Sequence, residues 1–113
     1  MIYLASPYTD PDPWVMEWRY LQAAKALTKL LQDKRWAYSP IVHCHELAKI
    51  ATLPKDAAFW RSYDFAMLAR SSRFVILTLE HWTDSIGVNL EMREAFRLGL
   101  PIEELAPCFT EFF

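Results

Sequence analysis

The sequence predicts an α/β domain built on a parallel sheet. Three observations carry this. Apolar runs of strand type alternate along the chain with segments of helical period. The run RFVILTLE at 73–80 is apolar almost throughout, as a strand covered on both faces must be. A chain of 113 residues, 53% hydrophobic, has enough apolar side chains for one modest core, so residues 1–113 read as a single domain.

Each element has its own reason. IYLAS at 2–6 is a short apolar run stopped by Ser6 and Pro7, a buried strand followed by a loop. PYTDPDP at 7–13 holds three prolines and reads as a turn cluster. From Trp14 to Gln32 the residues Val15, Trp18, Leu21, Ala24, Leu27 and Leu31 recur at helical steps, with Asp12 and Pro13 as N-cap and first-turn pair. RWAYSPIV at 35–42 reads as a second strand stopped by Pro40, and HCHELAKIATL at 43–53 as a short helix after a loop. KDAAFWRSYDFAMLARS at 55–71 is a helix, 73–80 the central strand, and SIGVNLEMREAFRLG at 85–99 the next helix, closed by Gly99 and Pro101. LPIEEL at 100–105 holds a last strand. In such sheets ligands bind at the carboxyl ends of the strands, where the loops 6–12, 39–46 and 80–86 would open.

Composition excludes several classes. A net charge of −2 gives no broad surface for a phosphate backbone, so nucleic acid is not the expected partner. No apolar run reaches membrane-spanning length, and no signal peptide is read at the N-terminus. The basic amphipathic stretch 17–35 is better explained by packing on the sheet than by a membrane. Cys44 and Cys108 do not make a disulfide framework, and a reduced, cytoplasmic protein is expected.

Two carboxylates stand where the helical wheel has apolar neighbours. In 85–99, Val88, Met92, Ala95, Phe96 and Leu98 share one arc, and Glu91 falls inside it with Gly87 one turn earlier. In 55–71, Asp64 falls among Trp60, Tyr63, Met67 and Leu68. One such carboxylate is explained by an ion pair, with Arg19, Arg61 and Arg73 as partners. Two of them, flanking the best strand beside a glycine turn, favour a functional site. An ionised carboxylate near a helix N-terminus can attack a sugar carbon, and a second carboxyl of raised pKa can protonate the leaving group. Gly87 would let a ligand approach, and the amides of Ser85 to Val88 would suit an anion.

IYLASPYT, the Asp one helix before the central strand, and S-I-G-V-x-x-E after it resemble the nucleoside 2-deoxyribosyltransferase-like superfamily. The nearest resemblance is to short uncharacterised bacterial and phage members, related to nucleoside 5′-monophosphate N-glycosidases, over nearly the whole chain. They share LASPY, SPI.H.H, FW, D and S.GV..E in that order. The resemblance implies a flavodoxin-like (Rossmann-like) three-layer sandwich, usually dimeric, that needs no metal or organic cofactor. It implies Glu91 as nucleophile, Asp64 as the acid assisting the departing base, and Tyr3 as the residue orienting the glutamate. Ser85 matches a serine that contacts a 5′-phosphate in the monophosphate glycosidases; transferases acting on free nucleosides typically have aspartate there. Two departures are visible: the loop SPYTDPDP lacks the glycine and arginine of the glycosidases, and Asn89 replaces a glycine.

The expected function is therefore hydrolysis or transfer of the N-glycosidic bond of a nucleoside 5′-monophosphate. A deoxyribosyltransferase acting on free nucleosides and an inactive nucleotide-binding domain are the alternatives. Besides Ser85 and Gly87, the expected substrate-binding residues are Ser6, His43, His45 and Trp82. In an extended segment His43 and His45 would point the same way, but no third metal ligand is obvious, so no metal is expected. The other tryptophans are expected in the core or a dimer interface.

Overall fold

A computed structural model describes residues 1–50, 53 and 57–107. The order is β1 (Ile2–Ala5), α1 (Pro13–Gln32), β2 (Ala37–Tyr38), α2 (Pro40–Ile50), α3 (Ala57–Leu68), β3 (Arg73–Leu77), α4 (Ile86–Arg97) and β4 (Ile102–Leu105). A single 3₁₀ turn, Trp82–Asp84, precedes α4. The four strands are parallel, in the order β2-β1-β3-β4. Helices cover both faces, giving a flavodoxin-like three-layer sandwich.

The alternation of side chains along the strands builds two cores. Ile2, Leu4, Val75 and Leu77 point to one face, against Ala23, Ala26 and Leu30 of α1 and Ile41 and Val42 of α2. Tyr3, Ala5, Phe74 and Ile76 point to the other, against Leu68 of α3 and Val88, Met92 and Ala95 of α4. Residues 2–7 are all buried, because β1 has neighbours on both edges and both faces.

Most element boundaries follow the sequence reading. Asp12 caps α1, its side chain accepting from the Trp14 amide at 2.9 Å, with Pro13 in the first turn. Ser85 caps α4, and Gly99 follows α4 with a φ of +74°, which glycine adopts at no steric cost. Two expectations change. Pro40 does not end a strand before a loop; it opens α2, so 39–46 is a helix start. Proline suits that position because a first-turn amide has no partner within the helix to lose. Phe96 is not core but 79% exposed, since α4 presents Val88, Met92 and Ala95 to the sheet and Phe96 turns past its edge. Of the tryptophans expected in the core or a dimer interface, Trp14, Trp18 and Trp36 are exposed in the single chain. The outer ends expected for the helices at 43–53 and 55–71, and Cys108, lie outside the described residues.

After β1 the chain moves outward to β2, and after β3 it moves the other way to β4. The adjacent carboxyl ends of β1 and β3 therefore form a topological switch point, where the following loops part and leave a crevice. The loops 6–12 and 78–85 flank it. A hollow there is lined by Asp10, Trp14, Val15, Trp18 and Arg19 on one side and Glu80 and His81 on the other.

Candidate functional site

Tyr3 organises the site. It is fully buried on β1, in register with Tyr38 of β2 and Phe74 of β3. Its ring stacks on Phe74 (5.8 Å, 12°) and tilts against Tyr38 (6.0 Å, 55°). Held between two rings, the phenol has its hydroxyl aimed at α4, where it donates to Glu91 Oε2. Glu91 thus lies on the sheet-facing side of α4, as the wheel predicts. Among the described residues no ion pair includes Glu91 or Asp64. Arg19 instead donates to the carbonyls of Tyr8 and Thr9, and Arg73 pairs with Glu103.

Asp64, on α3, completes the pair. Its Oδ1 is buried without a hydrogen-bond partner among the described residues. Such an atom costs folding energy, on the order of 1–3 kcal/mol, unless a ligand or water meets it. Its charge is felt by Tyr3, Tyr38, Cys44 and Glu91.

Both carboxyls are perturbed. Burial lifts Asp64 to about 6. Glu91 rises to about 8, chiefly through burial; the Tyr3 hydrogen bond opposes the rise and the Asp64 charge adds to it. Asp64 ionises first, so its charge acts on Glu91 while Glu91 is still neutral when Asp64 titrates. The sequence reading had the helix N-terminus keeping Glu91 ionised. Glu91 is the sixth residue of α4, beyond the first turn where the dipole is strong, so desolvation wins. Between about pH 6 and 8 the pair holds one proton.

The remaining expected residues divide. Ser6 is buried and its Oγ, like Asp64 Oδ1, has no hydrogen-bond partner among the described residues. Ser85 accepts from the Val88 amide at 3.2 Å and keeps its own hydroxyl proton to donate. The first-turn amides of Ile86 and Gly87 make no hydrogen bond among the described residues. A Cβ on Gly87 would meet only Ser85 Oγ, at 4.0 Å, so nothing in the chain itself demands glycine there. Trp82 is partly buried against the core beneath α4 and is in part a packing residue. His43 is exposed, stacks on Tyr63 (6.0 Å, 7°) and lies near Tyr38.

His45 does not line the site with His43. In a helix, residues two apart lie about 200° apart, so the extended-segment argument fails once α2 starts at Pro40. His45 is buried against α1, with both ring nitrogens engaged. Sequence reasoning missed Tyr38, whose hydroxyl is buried beside Tyr63 and Cys44 without a well-formed hydrogen bond. The signal was available: alternation along paired strands sets Tyr38 opposite Tyr3. The hydroxyls of Ser6 and Tyr38 and Asp64 Oδ1 are three of the four buried side-chain atoms left unpartnered among the described residues. Such atoms are rare in packed interiors, and here they come from the carboxyl end of β1, from β2 and from α3.

Fold and site together define a parallel α/β domain with an acidic pair beside its switch point. The chain belongs to the family described as a domain of unknown function (DUF1937), which it matches over residues 1–106. No curated protein matches it.

Proposed function

We propose that the protein cleaves or transfers the N-glycosidic bond of a nucleoside 5′-monophosphate through a glutamyl-glycosyl intermediate. The observation that carries this is the Tyr3-bound Glu91 carboxyl beside Asp64, whose Oδ1 has no partner among the described residues. Glu91, ionised, attacks C1′ as the C1′–N bond breaks, and Asp64 gives its proton to the departing base nitrogen. Asp64, now ionised, takes a proton from water or an acceptor base, which attacks C1′ and releases Glu91. Near neutral pH the pair holds one proton, chiefly on Glu91, so the reactive form is the minor tautomer in which that proton has passed to Asp64. The Tyr3 hydroxyl stabilises the Glu91 charge before attack and on release. The Ser85 hydroxyl and the amides of Ile86 and Gly87 are the donors offered to the 5′ end.

A binding-only reading explains the loop without basic residues. It does not explain why a binder of anions keeps two partly buried carboxyls unpaired with any cation among the described residues. The test is incubation of the pure chain with nucleosides and their 5′-monophosphates, with free base measured by chromatography. Base release from the monophosphates is expected, falling at least about a hundredfold in Glu91→Ala. Equal release by wild type and Glu91→Ala would overturn the site assignment. Release from nucleosides alone would overturn the phosphate. We also infer a cytoplasmic homodimer.

A further inference from the structure

His45 is a buried titratable group that the proposed chemistry leaves unused. Its ring stacks on Tyr20 of α1 (4.1 Å, 16°) and meets Tyr8 edge-on (5.5 Å, 90°). Nε2 lies 2.7 Å from Glu17 Oε2, and Nδ1 lies 2.5 Å from the Tyr8 hydroxyl. A carboxylate can only accept, so Nε2 carries the hydrogen. A neutral ring then has a bare Nδ1, and the Tyr8 hydroxyl must donate to it. Glu17 and Glu46 with His45 bring three potential metal-ligating atoms together. The Lys49 ammonium already sits 3.2 Å from Glu17 and 3.6 Å from Glu46, supplying the positive charge a cation would bring. The cluster is thus a hydrogen-bonded chain with one direction, Tyr8 to His45 to Glu17.

That chain ties three parts of the fold. Tyr8 belongs to the β1–α1 loop, whose carbonyls at Tyr8 and Thr9 also accept from Arg19. Glu17 and Tyr20 belong to α1, and His45 to α2. The neighbours of His45 on α2 reach elsewhere. His43 stacks on Tyr63 of α3, and Cys44 lies close enough to feel Tyr38 and Asp64. One side of this turn therefore grips α1 and the loop carrying Ser6. Its other side forms a wall of the acidic site.

We propose that Tyr8, His45 and Glu17 form a positioning relay that clamps the β1–α1 loop and α2 onto α1, and so sets where Ser6, Tyr38 and Asp64 meet a ligand. The effect on turnover rests on the glycosidase reading. The direction of the hydrogen bonds and the link to Asp64 do not.

Two near-isosteric changes split the chain. His45→Gln offers an amide near Nε2 and keeps Glu17 while losing Tyr8. His45→Asn offers one near Nδ1 and keeps Tyr8 while losing Glu17. In the full chain with ¹⁵N-labelled histidine at pH 8, His45 is expected as the Nε2–H tautomer. An Nδ1–H or doubly protonated ring overturns the relay. The titration midpoint of the Asp64 side-chain carbon is expected to move in Tyr8→Phe, His45→Gln and His45→Asn, since each breaks the relay at one of its links. On the best-cleaved monophosphate, Tyr8→Phe and His45→Gln should each lower kcat/KM about tenfold, with the double variant no worse than either. Losses that multiply in the double variant, or an Asp64 midpoint unmoved in all three, show a purely structural histidine. If wild type cleaves nothing, the glycosidase reading fails and the tautomer and Asp64 measurements still decide the relay.

Discussion

Glu91 accepts a hydrogen bond from Tyr3 and pairs with no cation among the described residues, while burial lifts its carboxyl from an ordinary 4.5 to about 8. Between those values the folded chain holds a proton that the unfolded chain has released. Stability therefore falls as pH rises through this window. Glu91→Gln keeps an oxygen for Tyr3 and removes the charge. Its unfolding free energy from urea titration at pH 8 should exceed that of wild type by on the order of 1–2 kcal/mol, and the two should converge near pH 4. A less stable Gln variant at pH 8 would mark Glu91 as structural. The same shifts set a rate profile. With one proton needed on the pair, kcat/KM should be bell-shaped, with limbs near pH 6 and 8 that belong to the pair jointly. A rate that keeps rising above pH 9 would break this scheme.

At the scale of elements, α4 carries the clearest signal and α2 the least clear. The capping serine, the apolar arc and the terminal glycine marked α4 almost to the residue. Gly87 in its first turn weakens it without any steric need. Gly87→Ala should then stabilise the fold by a few tenths to about 1 kcal/mol in denaturant unfolding. It should also raise KM for the monophosphate, because the added methyl occupies the approach to Ser85 and the free amides. An unchanged KM would show that no ligand comes close there. For α2 the proline that looked like a stop was a start. That difference rotated His45 out of the site and into the α1 contact, since strand and helix periods send alternate residues to different sides.

Over the whole molecule, the apolar surface is unevenly disposed. Trp14, Trp18 and Leu21 form an exposed stripe at helical spacing along α1, and Trp14 is 81% exposed. Phe96 and Ile102 make a second patch beside Met92. Exposed rings in a chain this size favour self-association. Sedimentation at micromolar concentration should give a dimer, and a monomer would refute it. Among the described residues no helix is long and apolar enough to cross a membrane.

The sequence by itself determined the layers, the parallel sheet and the two misplaced carboxyls, because period and polarity are local properties of the chain. Only the tertiary structure decided what those groups touch. Register between β1 and β2 brought Tyr38 to Tyr3, packing of α2 on α1 closed the chain through His45, and burial, not the helix dipole, set the order in which Asp64 and Glu91 lose their protons. These are contacts between residues far apart along the chain, and desolvation depends on everything packed around a group.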